Sequence, residues 1–309
     1  MRRLVWLLLP LLLAACRPSA PPREVRVVVS GPGRLARAEA FVERLEDYGL
    51  VGVQARICDA GGDRGRLREC AKGSPAIFVT VGGVETRTVM EAGGQVPVVY
   101  VGLAASLDWG YVERLSRPGG RTSGVDNNYA ELSGKRLQML KLALPEVDRV
   151  LVLYQPGVVP TPRGLDSLKR AAALLDIELD YFPVVSGADI EGLPSELPGN
   201  DAAFLMPSFV LENNLERVVE IVSEAGLPLV GLDAAQVHVG AFLAYGASGA
   251  AMGRQAARMA RQVLGGYPIS EMPVERPQRV ELAVNQAAAK RLGLRVDRRL
   301  LDLADEVVW

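Results

Sequence analysis

Chemistry needs side chains that can move protons, attack or ligate, and this chain of 309 residues has few of them in useful company. Its only histidine, His238, stands between two valines in QVHVG, where a structural role outweighs a catalytic one. No Gly-x-Ser-x-Gly elbow occurs to present a nucleophilic serine. Glycosidase chemistry needs two placed carboxylates, yet Glu43, Glu46 and Asp47 read as the solvated face of one helix. VTVGGVE is neither a phosphate loop nor a dinucleotide fingerprint. Cys58 and Cys70, close in sequence, are a disulfide candidate in an exported chain. Two buried free thiols are the other reading, and a metal would lack a second ligand pair. No catalysis, cofactor or metal is therefore expected. What remains suits binding: polar groups and open backbone just past apolar runs, namely Ser30, Thr80, Gly82, Gly83, Ala104, Gln155, Ser208 and Phe209.

Those positions follow from the elements that must carry them. VRVVVSG, VGVQARICD, AIFVTVGG and VPVVYVG read as strands, and RLARAEAFVERLEDYG, about 64–72 and 84–92 as the helices between them. Continuous Val/Ile runs separated by helices signal a parallel sheet buried on both faces. This array ends near Gly120; RPGGRTSGV breaks the rhythm, and AELSGKRLQMLKLALP restarts it as a helix. RVLVLY, LDYFPVV, DAAFLMP and LPLVG are further strands, with helices expected over 163–175, 188–197 and 211–225. The last third holds two strand-like runs, VGAFLAYGAS and RVELAVN, and helices in AAMGRQAARMARQVLGG and QAAAKRLGL. They are too few for a third core, so they are expected to complete the first two. Such α/β units bind ligands at the carboxyl ends of their strands. Gly82-Gly83, before a helix, offers backbone N–H groups to an anion.

Composition narrows the class. Net charge is −1 without a basic face, which argues against nucleic acid. The start, Arg2-Arg3 followed by an apolar run to Ala15, is too short to span a bilayer and reads as a signal peptide, residues 1–15. Leu13-Ala14-Ala15-Cys16 resembles the bacterial lipobox, which implies cleavage before Cys16 and lipidation of its sulfur. Residues 16–24 would then be the lipidated cysteine and a linker, and the protein would be exported and anchored at the outer face of the cytoplasmic membrane or in the periplasm.

RLSRPGGRTSGV (114–125), GAFLAYG (240–246), RQVLGGYPISEMPVE (261–275), LAVNQAAAKRLGL (282–294) and the ending LLDLADEVV (300–308) together resemble one family. It is the ABC-transporter substrate-binding protein family that includes binding proteins for tryptophan and other aromatic amino acids. The resemblance implies the type I periplasmic-binding-protein fold: α/β, with two Rossmann-like lobes of parallel sheet joined by a three-stranded hinge. It places lobe 1 at 25–120 plus about 246–275 and lobe 2 at 121–240 plus about 280–309. The crossovers would lie at 121–128, about 233–246 and 275–285. Pro118-Gly119-Gly120 cannot continue a helix, which suits a hinge. The implied function is capture of a small organic solute, an amino acid or related compound, for ABC permease subunits in the membrane, by a monomer tethered through its lipid. The alternative is a tethered protein of the same fold that senses a ligand or regulates a cell-envelope partner.

The chain also departs from the family. A Gly-Thr pair is usual where Gly82-Gly83 stands, and Asp-Pro where Ala104-Ala105 stands. The acidic residue of amino-acid-binding members falls near the uncharged Ser208-Phe209. Asp233 and Asp126 are the candidates left to meet an ammonium group. Asn127, Asn128 and Tyr129, at the first crossover, are placed to reach across the cleft. With no arginine cluster at the strand ends, the solute is expected not to be strongly anionic.

Overall fold

The computed structural model describes residues 22–158 and 161–309; the leader, Cys16 and most of the linker lie outside the described residues. Five of the valine-rich runs pair as one parallel sheet: β1 (Arg23–Val29), β2 (Val53–Asp59), β3 (Ile77–Thr80), β4 (Val98–Leu103) and β5 (Thr122–Asp126), in the order β2-β1-β3-β4-β5. Helices α1 (Leu35–Glu46), α2 (Arg64–Cys70) and α3 (Gly83–Glu91) connect them. The period-2 alternation of a strand sorts the side chains. Val25, Val27, Ile77, Val79, Val99 and Val101 pack with α1 on one face, and Val28, Phe78 and Val98 with Leu67 and Val89 on the other. Cys58, on the edge strand, is disulfide-bonded to Cys70 of α2, with Cα atoms 5.7 Å apart.

The second array runs α4 (Ser133–Ala143), β6 (Arg149–Tyr154), α5 (Thr161–Leu175), β7 (Glu178–Pro183), β8 (Ala202–Leu205), α6 (Phe209–Asn213), α7 (Leu215–Glu224), β9 (Leu229–Gly231), α8 (Ala234–Val239) and β10 (Leu243–Ala247). After α9 (Gly249–Leu264) come β11 (Val280–Asn285), α10 (Gln286–Arg291), α11 (Arg298–Leu303) and β12 (Glu306–Val308). The second sheet has the order β12-β11-β10-β9-β8-β6-β7, parallel except where β11 runs against β10. Val150, Val152, Ala202 and Phe204 pack under α4 and α5, and Leu151, Leu153, Ala203 and Leu205 under α7. Helix α9 packs on α1, β4 and β5, so it belongs with the first sheet although it follows the second in sequence. Two Rossmann-like lobes result.

Several boundaries differ from expectation. The first array does not end near Gly120: β5 adds a fifth strand, and the chain leaves the lobe after Asp126. The second crossing falls at Ala247–Gly249 rather than 233–246, because α8 and β10 both belong to the second lobe. The third falls before β11, where Glu275 bridges to Val125. The helix expected over 211–225 breaks at Asn214, whose side chain Nδ2 donates to the Val210 carbonyl (2.8 Å). The segment 187–195 is a 3₁₀ helix, held by a capping box between Ser186 and Asp189.

Candidate functional site

The strand ends of both lobes face one another, and an ion-paired layer fills the space between them. Arg34 immediately precedes α1, and Arg37 lies in that helix's first turn. Cations at a helix N-terminus oppose the macrodipole, so both need carboxylates, and each finds one across the cleft. Arg34 Nη1 donates to Glu85 Oε1 (3.3 Å) in its own lobe, and Nη2 to Glu212 Oε2 (3.0 Å) on α6 of the other. Its guanidinium also lies 5.5 Å from the centre of the Phe209 ring, within cation–π range. Arg37 Nη2 donates to Asp233 Oδ2 (2.5 Å) and Tyr129 Oη (3.0 Å), and Tyr129 donates to the same Asp233 oxygen (2.5 Å). A Cβ at Gly102 or at Gly249 would stand 2.9 Å from the Arg37 side chain, so these two glycines leave it room.

Burial and charge compete at each group. For Arg34 burial lowers the pKa, but Glu85 and then Glu212 offset it, and the net shift is upward. Arg37 is raised in the same way against burial, by Tyr129 and Asp233. Burial raises the Glu85 carboxyl, with Arg34 opposing. Asp126 is pushed up to about 6, chiefly by burial, although Ser106 donates to its Oδ2 through both N–H (3.2 Å) and hydroxyl (3.0 Å). Arg136 of α4, wholly buried, is lowered by burial to about 10; it donates to the Tyr129 carbonyl (3.2 Å) and Ser133 Oγ (3.0 Å). Glu85 Oε2, Asp126 Oδ1 and Asp233 Oδ1 are buried without a hydrogen-bond partner among the described residues.

At the mouth Arg163 of α5 pairs with Asp108 of the first lobe and lies 3.6 Å from Glu131. Asp108 and Arg163 line two hollows. One, of about 360 Å³, lies between the lobes, with Ala105, Asp126, Asn128 and Glu275 in its wall. The other, of about 710 Å³, lies beside Tyr154, Pro156 and Lys169 of the second lobe, with Asp108 its one lining residue from the first. The smaller one alone reaches the hinge, at Asp126 and Glu275, and is the cavity between the lobes.

The sequence candidates divide. Ser30, Gly82, Ser208 and Phe209 come together around the Arg34 cluster: the Ser30 carbonyl accepts from Arg34 (3.4 Å), and a Cβ on Gly82 would stand 3.3 Å from Arg34 Nε. Ser208 donates to Gln155 Oε1 (2.8 Å) and caps α6. Asn128, with φ of 54°, lines the smaller hollow, and Ala104 is half-buried at the adjacent strand end. Others are turned away or already spent. Thr80 is fully buried and shares a hydrogen bond with Thr86 (2.8 Å), and Asn127 binds the Gly102 carbonyl (2.8 Å) and the Tyr129 N–H (3.1 Å). Gly83 opens α3, whose first turn already carries a carboxylate of the chain's own, Glu85. Asp233 holds Arg37 and Tyr129 in place of an incoming ammonium. His238 is exposed and bonded to Glu306 (2.6 Å), tying α8 to the edge strand β12.

The expectation of no arginine cluster at the strand ends is corrected: Arg34 and Arg37 lie four and seven residues past Ser30, just before and within the first turn of a helix that reads as amphipathic and solvated. The signal was there, in two arginines and no acid at the start of a helix. Glu85 and Glu212 were missed for the same reason, each falling a few residues beyond a strand end.

A family model described as ABC transporter substrate binding protein matches residues 24–308. The chain belongs to this family. Its members bind substrates and are not enzymes. A tyrosine-binding protein of Clostridioides difficile (strain R20291) is 22% identical over 275 residues, 86% of this chain and 79% of that protein. Among solved structures, the ABC domain in complex with L-Trp from Streptococcus pneumonia superposes with a TM-score of 0.83 at 17% identity, over 93% of this chain and 100% of that one. A conserved domain protein from Vibrio cholerae O1 biovar El Tor str. N16961 gives 0.82 at 19% identity over the same shares. These likenesses place the substrate-binding protein in the type I periplasmic-binding fold. Among the described residues no helix is long and apolar enough to cross a membrane.

Proposed function

We propose that this substrate-binding protein is the solute receptor of an ABC importer, anchored by a lipid on Cys16 and acting as a monomer beside its permease subunits. Its solute is a small amino acid or related compound, held between the lobes. The observation that carries this reading is the interlobe layer, where Arg34 and Arg37 of the first lobe meet Glu212, Phe209 and Asp233 of the second. A zwitterion needs fixed groups of both signs once it leaves water, and this cleft supplies both. The relatives that take tyrosine and L-Trp add support by analogy. The bodies that close are β1–β5 with α1–α3 and α9, and the second sheet with its own helices, hinged at the three crossings.

The test is thermal unfolding of the detergent-solubilised protein against amino acids, nucleosides, sugars and short organic acids, with intact-mass analysis of the lipid on Cys16. A ligand at 100 times its dissociation constant adds about 2.7 kcal/mol to the folded state, a shift of several degrees. Stabilisation by one chemical class establishes solute capture. A flat response across the whole panel, with capture of an envelope protein instead, overturns it in favour of a regulator.

A further inference from the structure

The Arg34 cluster says which kind of solute fits, on the reading that the cleft captures one. Two carboxylates, Glu85 from the first lobe and Glu212 from the second, share the one guanidinium of Arg34. Glu85 is the less well served of the two, for its side chain is fully buried and its Oε2 has no hydrogen-bond partner among the described residues. Buried polar atoms in native proteins are overwhelmingly paired, so this oxygen marks a second arrangement of the same groups. That arrangement lies close by. Arg34 Nε and Glu85 Oε2 both rest against Gly82, 3.3 and 2.8 Å from where a Cβ would stand. A short swing of Arg34 towards its own lobe would set its fork on both Glu85 oxygens, the bidentate geometry that guanidinium and carboxylate favour.

The same swing uncovers the half-site on the second lobe that Arg34 now fills. It consists of the Phe209 ring face and the Glu212 carboxylate, with 24% of the Glu212 side chain exposed. An aromatic face beside a carboxylate is a receptor for a cation, and in this structure it is seated on one. We propose that the solute carries a cationic group beyond any α-ammonium, a side-chain guanidinium or amine, and that this group takes the Phe209–Glu212 half-site from Arg34. Arg34 is then a tethered stand-in for the ligand. It closes the lobes when no solute is bound and retires to Glu85 when the solute's own cation bridges them.

The experiment is calorimetric titration of the detergent-solubilised protein with pairs that differ only in charge, such as arginine and citrulline, alongside agmatine, tyrosine and tryptophan. The cationic member should bind at least about tenfold tighter, the worth of one charge-assisted hydrogen bond. E212Q, at a partly exposed position that should leave folding intact, should erase that preference. F209L should weaken the cationic ligands several-fold and spare the neutral ones. R34Q should tighten cation binding by removing the competitor, an effect that a merely structural arginine would not give. Equal binding of arginine and citrulline, or a preference that survives in E212Q, overturns the proposal. If tyrosine or tryptophan binds while charge is ignored, the proposal fails and solute capture stands. If nothing in any class binds, both fail.

Discussion

Asp126 ends the strand by which the chain leaves the first lobe, and it is held with one oxygen on Ser106 and the other unpaired. Its carboxyl ionises near 6 in the folded protein, against 3.8 for the ordinary group. The folded state therefore binds this proton more tightly than the unfolded chain. The stabilising effect of protonation is complete below about pH 4 and is lost as pH rises through 6. D126N should raise the urea midpoint at pH 7.5, and the gain should shrink as pH falls and vanish well below the ordinary carboxyl value of 3.8, where the aspartic acid is neutral in both states. Arg37 and Asp233 pose the opposite case, a buried pair of opposite charges that hold one another through Asp233 Oδ2. Removing one partner leaves the other uncompensated, so R37M should cost about 3 kcal/mol or more. Adding D233N should cost much less than a second independent loss, and chemical unfolding of the single and double variants checks it.

The hinge strands depend on two glycines for close approach. A Cβ at Gly246 of β10 would overlap the Leu232 carbonyl oxygen, and one at Gly124 of β5 would overlap that of Tyr100. Backbone cannot move aside as a flexible side chain can, so G246A should destabilise the protein by about 3 kcal/mol or more. Gly120 has open space and no positive φ, so G120A should stay within about 0.5 kcal/mol of wild type. In the Pro118-Gly119-Gly120 run only Gly119, with φ of 82°, needs to be glycine. Elements of this scale were legible where burial writes an unambiguous pattern. RVLVLY is β6 to the residue, because both of its faces are covered and no polar position interrupts it. Helix α8 was illegible: six residues do not show a period of 3.6, and Ala234–Val239 falls in the stretch of about 233–246 read as a crossover. The same brevity hid α11 and β12. At the site, strand-end residues could be read because the fold fixes where strand ends go. Arg34 and Glu212 could not, since on a helix their roles depend on which neighbour arrives from the other lobe.

For the molecule as a whole, closure rests on two kinds of ion pair. Arg163–Asp108 at the mouth is half-exposed and, like most such pairs, contributes little. The inner pairs of Arg34 and Arg37 are more deeply buried and less screened by salt. Small-angle scattering should accordingly show R163A as compact as wild type and R34Q/R163A measurably expanded, with 1 M salt leaving the wild type unchanged. Helix α9 has a consequence of another kind, for the order in which the protein can be made. It supplies Met252, Ala256 and Ala260 to the core against Phe41 of α1, yet it emerges some 200 residues later. At about 5–20 residues per second, the first lobe waits on the order of ten seconds or more for its last wall. During that interval the second lobe can gather most of its strands while the first remains unfinished. Neither lobe can be finished early, since the first waits for α9 and the second for β11 and β12 behind it, and a chain stopped before α9 would leave the N-terminal lobe open on the side that α9 covers.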